Sequence, residues 1–413
     1  MGKGAIIYSM SAKNITIIGA GFTGIRAGLD LARAKKYGLI PDNTVIRIVS
    51  KNDYFEYYPA MYRVATGSSP LQACVRLDEI FSGYDVEIIT DAIIDIDTPA
   101  RTALGASGSR YKCDYMIVAL GSQPTYYNIS ELEELSFHFR SIHGAVELRD
   151  RIQRIFLDHK DSSKEEQLIA FHFVIVGAGA SGVELAGEIE LYARSVAKTH
   201  AVDPSFISIS LIESNNRVLG TMPEKISHRA EKRLRVLGVN LFLNRRLIKK
   251  ESWTVFLQDM KIGAQTVIWT AGNIVNTLYK DLECFPLAEN GRVDVDEHLM
   301  TRCGDDNIFV GGDAANTKYA GLAQTAIYDG KFIARNIIRD ITDESLIKYE
   351  PKKIGYDIPI GPGWAILHIG KITIYGRIAW WMRQLIDLKF YLSILPLHKA
   401  IKRFLSKGDG PSS

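Results

Sequence analysis

Cysteine is scarce in this 413-residue chain: Cys74, Cys113, Cys284 and Cys303, with no Cys-x-x-Cys spacing among them. Such sparse cysteines support neither a zinc ribbon nor a disulfide scaffold, fit a reducing compartment, and leave no metal site expected. Long hydrophobic runs are also missing. The longest candidate, 358–370, is broken by proline and glycine and falls short of the ~18–20 residues a spanning helix needs. The first residues hold no apolar core with a small-residue cleavage site, so no secretory signal is expected. Ile6 stands where a myristoylation signal wants Ser or Thr. The chain lacks a large charge of one sign: 50 Lys/Arg against 47 Asp/Glu leave a formal +3, too little to argue for nucleic acid. Proline is low as well, 13 against 34 glycines, which points to tight turns more than to rigid linkers.

What is present is a folding composition, 46% hydrophobic and 23% charged, in a length that suggests two or three domains. The segment 14–24 reads as a β-branched strand running into Gly19-Ala-Gly21-Phe22-Thr23-Gly24 and then a helical stretch. In that context Gly19 permits the tight turn, Gly21 lets backbone approach a pyrophosphate, and Gly24 lets helix and strand pack closely. The helix start then offers free N–H groups and partial positive charge to phosphates. The pattern recurs at Gly177-Ala-Gly179-Ala180-Ser181-Gly182 after the strand of 173–176. One such loop is weak evidence. Two, about one domain length apart, imply two dinucleotide sites in one chain.

Each site wants a ribose-binding group at the end of its second strand. After the second loop, the strand of 207–212 ends at Glu213, which would accept from ribose hydroxyls and repel a 2′-phosphate, favouring NADH over NADPH. After the first loop the matching place is Ser50-Lys51, with a hydroxyl in place of the acid. A third landmark, the short strand 307–310 ending in Gly311-Gly312-Asp313, can place a carboxylate on the ribityl chain of a flavin. The helix that follows through Ala323-Gln324 faces its ring edge. A further buried strand, 115–119, ends at Gly121 in a Gly-x-x-Pro return crossing.

With these landmarks in order, 14–339 resembles the two-dinucleotide-binding flavoproteins of glutathione-reductase-like fold. Within them it is most similar to the type II NADH:quinone oxidoreductases, through 52–67, 182–188, the run 267–272 ending at Gly272, and 323–330. The sequence departs from that family at Tyr328, where a second glutamine is usual, and at Leu120, where threonine is usual. The resemblance implies an α/β fold: two Rossmann-like dinucleotide-binding domains plus a C-terminal amphipathic helical segment. It implies FAD on the first loop, NADH on the second, and a ping-pong transfer of hydride to flavin and then two electrons to a quinone. No proton pumping is expected. It also implies that Glu184, near the start of the second loop's helix, relays a proton and that Gln324 flanks the quinone. The bland alternative for Glu184 and Glu188 is a favourable helix-dipole interaction.

The expected division is 1–135 with 291–340 for FAD, 136–290 for NADH, and 341–413 as a membrane-attachment and quinone-site segment. From Arg377 to Lys407 seven basic residues face one acid, Asp387, interleaved with Trp380, Trp381, Phe390, Tyr391 and Phe404. Ile378, Trp381, Leu385, Leu388, Leu392 and Leu395 follow helical spacing, and Leu397, Ala400, Ile401, Phe404 and Leu405 repeat it, with Lys399, Lys402 and Arg403 assigned to the opposite side. Basic residues beside tryptophan suit a membrane surface bound through 377–407, hence a peripheral protein on the cytoplasmic face of the cell membrane. A helix docked on the protein's own core, or a homodimer contact, is the competing reading. Disulfide reductases of this fold need two cysteines about five positions apart, and none are so spaced here. A redoxin or ferredoxin reductase, a sulfide:quinone oxidoreductase and an NADH-sensing flavoprotein without turnover remain open as alternatives.

Overall fold

The computed structural model describes residues 13–127, 129–282, 285–302, 307–353 and 355–406. Cys284, Cys303 and the chain from Lys407 onward lie outside them. The chain forms two compact units, one from 1–55, 75–123 and 274–354, the other from 56–74, 124–273 and 355–413. Contacts thus place 56–74 and 355–413 in the second unit and 274–290 in the first, whereas grouping by motif divides the chain at 135, 290 and 340.

The first unit is built on a five-stranded parallel sheet in the order Ile308–Val310, Tyr115–Val118, Asn14–Ile18, Val45–Ser50, Glu87–Thr90. Ile15, Ile17 and Ile18 are fully buried, as is Thr16 between them. A central parallel strand is covered on both faces, so it reads as a continuous β-branched run rather than an alternating one. The Phe22–Lys36 helix buries Ile25, Leu29 and Ala32 and packs along the Ala323–Ile341 helix.

The second unit repeats the scheme with four parallel strands in the order Asn240–Phe242, Ser208–Ile212, His172–Val176, Thr266–Trp269. The Ala180–Thr199 and Ile142–His159 helices pack against each other in this unit. Its last part is an antiparallel sheet of Tyr356–Pro359, Ala365–Ile369 and Ile372–Gly376, followed by the Arg377–Ile394 and Leu397–Phe404 helices.

The C-terminal helices are turned the opposite way from an ordinary amphipathic pair. Ile378, Trp381, Leu385 and Leu392 are exposed, as are Leu397, Ile401 and Leu405, while Leu395 and Ala400 are buried. The buried stripe of the first helix is Ala379, Arg383, Asp387, Tyr391 and Ile394. Arg403, assigned by the sequence pattern to the side opposite the apolar stripe, is buried and donates to the Leu71 and Cys74 carbonyls, the first at 2.9 Å. Its guanidinium finds backbone acceptors left by the Pro70–Gln72 turn, which hydropathy alone does not reveal. None of the helices among the described residues is long and apolar enough to cross a membrane.

Candidate functional site

Both glycine loops close with the same hydrogen bonds. The Gly19 amide donates to Val49 and the Gly177 amide to Ile212, each at 2.8 Å, so each loop is tied to the end of its neighbouring second strand. Each first glycine has positive φ, +97° and +103°, and a Cβ there would strike Ala119 or Ala271. A Cβ on either third glycine, Gly24 or Gly182, would overlap the carbonyl oxygen of the first, which is why helix and strand can approach so closely there. Around Gly21 and Gly179, by contrast, a Cβ would meet nothing within 4 Å. Each of those residues is a helix N-cap without a side-chain cap. Both helix starts therefore keep open space beside an N-cap glycine that has no side chain to cap them, the arrangement a pyrophosphate fills.

In the first unit the loop meets the other landmarks. The Thr23 hydroxyl donates to the Ala326 carbonyl at 3.0 Å, joining the loop's helix to the helix that begins at Ala323. Gly312, at φ +76°, lies against Thr23, and the Asp313 carboxylate accepts from the Ser122 hydroxyl at 2.8 Å, one residue beyond Gly121. Ala323 and Gln324 open their helix, again with no side-chain cap, and Gln324 is exposed. Ser50 ends its strand half-buried, with Lys51 exposed beyond it. The carboxyl end of the parallel sheet thus gathers Gly19, Gly21, Phe22, Thr23, Gly24, Gly121, Gly312, Asp313 and Ala323.

In the second unit Glu213 is tied to its loop. One carboxylate oxygen accepts from the Ala178 amide at 2.8 Å, the other from the Asn215 backbone and side chain at 2.9 and 2.7 Å. Ala180 and Ser181 lie at the start of the helix, Ser181 exposed. The Thr270 hydroxyl reaches the Val176 and Gly177 carbonyls at 2.8 and 2.7 Å, and Gly272 is covered by the ring of Tyr127.

Glu184 sits in a charged cluster that sequence reasoning missed. Arg383 is 1% exposed and donates to Asp387 and to the Pro59 carbonyl, both at 2.7 Å, with Asp357 at 3.6 Å. Arg63 reaches the same Asp387 at 2.5 Å, and the Tyr57 hydroxyl donates to its other oxygen at 2.7 Å. Both guanidiniums lie over the ring of Tyr62. Burial pushes the Glu184 carboxyl up to about 8; Arg383 and Arg63 oppose the shift, while Asp357 and Asp387 add to it. Burial also lifts Glu188 to about 7. Asp387 is held below the usual carboxylate range despite its burial, because two arginines face it. The one available signal was the spacing of Arg383 and Asp387, a single helical turn apart.

Cys113 is buried, and burial raises its thiol to about 11, the opposite of a reactive thiolate.

Two units, each a parallel sheet with a strand–glycine loop–helix cradle, define a protein of the double dinucleotide-binding class. The sequence profile of the pyridine nucleotide-disulphide oxidoreductases matches residues 13–330, and the chain belongs to that family. It is 26% identical over 407 aligned positions to the type II NADH:quinone oxidoreductase Ndh of Mycobacterium tuberculosis, covering 92% of this chain and 84% of that one. It is 24% identical to the type II NADH:quinone oxidoreductase of Staphylococcus aureus strain MSSA476, covering 95% and 98%. Its fold is similar to that of NDH2 from Plasmodium falciparum, solved in complex with NADH, with TM-score 0.84, 18% identity, and coverage of 95% of this chain and 97% of that one.

Proposed function

We propose that this chain is an FAD-dependent NADH:quinone oxidoreductase of type II, a peripheral enzyme that passes electrons to a membrane quinone without pumping protons. The observation that carries the reading is the duplicated cradle, two loops with matching hydrogen bonds and an open middle glycine in each. The names of the relatives in M. tuberculosis and S. aureus support quinone as acceptor. FAD, when bound, accepts hydride from NADH and returns two electrons to the quinone, which also takes up two protons.

Gly19, Gly21, Phe22, Thr23 and Gly24 would hold the FAD pyrophosphate, Ser50 and Lys51 its ribose end, Gly121, Gly312 and Asp313 the ribityl chain, and Ala323 and Gln324 the ring edge. Gly177, Gly179, Ala180, Ser181 and Gly182 would hold NADH, with Glu213 on the ribose and Gly272 beside the nicotinamide. Gln324 would also flank the quinone. A carboxyl at about 8 is protonated at neutral pH, so Glu184 can give a proton from its oxygen and recover it. Functionally, the FAD part would comprise 1–135 and 291–340, the NADH part 136–290, and 341–413 the attachment and quinone segment. The outward apolar face within 377–407 would hold the enzyme on the cytoplasmic face of the membrane; a second copy is the other occupant that face could take.

The deciding experiment is anaerobic stopped-flow mixing of the purified yellow protein with NADH, then with a short-chain quinone. NADH should bleach the flavin quickly, NADPH more slowly because of Glu213, and quinone should restore the colour. Flavin that NADH leaves unbleached would overturn the proposal. Bleached flavin that quinone cannot reoxidise would leave the redoxin-reductase or sensor readings in its place.

A further inference from the structure

In the unit read here as the flavin site, Asp329 is a fully buried acid on the Ala323–Ile341 helix with no role in the scheme above. One carboxylate oxygen accepts from the Gly312 amide at 2.9 Å, the other from the Tyr349 hydroxyl at 2.6 Å. A buried carboxylate bonded by neutral donors is costly, so it persists only where something depends on it. What depends on it here is the Gly311–Gly312 turn. A Cβ on Gly311 would strike Thr23 and Ile333 and crowd Asp329, and one on Gly312 would strike the Thr23 hydroxyl. The turn is squeezed between the helix of the first glycine loop and the helix carrying Asp329. It leads directly into Asp313. Tyr349, which orients Asp329 from the segment after that helix, is itself packed edge-on against Phe332 at 5.1 Å and beside Tyr328 at 5.6 Å.

We propose that Asp329, oriented by Tyr349, is a positioning residue of the flavin site: it fixes the Gly312 amide so that Asp313 is delivered to the ribityl chain, and its buried charge disfavours electrons on the flavin. The proposal rests on the reading of this unit as the FAD site. Burial pushes the Asp329 carboxyl up to about 6; the Tyr349 hydroxyl and the Gly312 amide oppose the shift, and Asp313 adds to it. The group therefore remains mostly ionised at neutral pH, as an electrostatic role requires.

The test compares the wild-type holoprotein with Asp329→Asn and Tyr349→Phe, measuring FAD dissociation by flavin fluorescence and the flavin midpoint potential by dye-coupled titration. Asp329→Asn keeps the size and one acceptor but removes the charge. It should weaken FAD binding about tenfold, the worth of a hydrogen bond to a charged group, and raise the midpoint. Tyr349→Phe keeps the ring packing and should weaken binding severalfold with a smaller change in midpoint. A purely structural role would loosen FAD in both variants with no shift in potential, and that would overturn the electrostatic half. If Asp329→Asn does not fold, wild-type affinity in Tyr349→Phe overturns the proposal and weakened affinity supports it. Wild-type protein that holds FAD, with both variants unchanged in affinity and midpoint, overturns the inference alone. Wild-type protein that holds no FAD overturns the flavin reading and the inference with it.

Discussion

At the scale of single residues, the protonation state of Glu184 is set by competing neighbours rather than by its type. Burial is the largest influence and favours the neutral form, and the two arginines recover only part of the shift. The consequence for stability has a definite sign. A carboxyl that titrates near 8 in the folded chain but near 4.5 when unfolded binds its proton more tightly when folded. Its contribution is fully present below the unfolded value and is lost as pH rises through the folded one. Glu188, lifted to about 7, acts in the same direction. Glu184→Gln should therefore gain stability over wild type as pH rises from 5 to 9, approaching about 4 kcal/mol at the upper end. Denaturation midpoints of both proteins across that range measure it. A difference that stays constant with pH would mean that Glu184 is ionised throughout.

At the scale of elements, the Arg377–Ile394 helix explains what the sequence made legible and what it hid. The glycine loops could be read because their chemistry is local: three glycines at fixed spacing, a β-branched strand before them and a helix after. Gly24 and Gly182 occupy the positions where a side chain cannot fit. The two runs of helical spacing within 377–407 were readable in the same way. Orientation was not. Ile378, Trp381, Leu385 and Leu392 form one helical stripe, and Ala379, Arg383, Asp387 and Tyr391 form another on the same helix. Helical spacing left the first stripe to face either lipid or the protein's own core; the fold exposes it and buries the second, because Arg63, Tyr57 and the Pro59 carbonyl, more than 300 positions away, offer partners for the charges. Asp387 faces the buried Arg383 and the half-buried Arg63, so its loss strips Arg63 of its carboxylate partner and leaves Arg383 only Asp357, at 3.6 Å. Asp387→Asn should cost ~3–5 kcal/mol in urea denaturation, whereas Arg383→Met with Asp387→Leu should cost less than Asp387→Leu alone. A single-variant loss within ~0.5 kcal/mol, the range of ordinary surface changes, would show that the cluster does not fasten this helix.

At the scale of the whole molecule, charge and apolar surface are unevenly distributed along the chain. Residues 341–413 hold eleven Lys/Arg against six Asp/Glu, and nine large apolar side chains from Ile369 to Leu405 are exposed. Arg383 and Arg403 are spent inside, but Lys371, Arg377, Lys389 and Lys402 remain exposed along the same segment. So much apolar surface beside exposed cations fits a lipid headgroup layer better than water. Cutting the chain near Tyr375 would be a poor test of that fit, because it would also remove Arg383 and Asp387 and strip Arg63 of its buried partner. Trp381→Ser, Leu385→Ser and Leu392→Ser together alter only the exposed stripe. Wild-type protein should sediment with anionic vesicles and hold on at 1 M salt, where the Debye length is only ~3 Å, because the apolar contacts are unscreened. The triple variant should stay in the supernatant, reduce its flavin with NADH at the wild-type rate, and lose turnover with long-tailed quinones embedded in vesicles. Wild-type protein that remains in the supernatant at low salt, and runs as a dimer that the triple variant breaks, would assign this face to a second copy of the chain instead of to lipid.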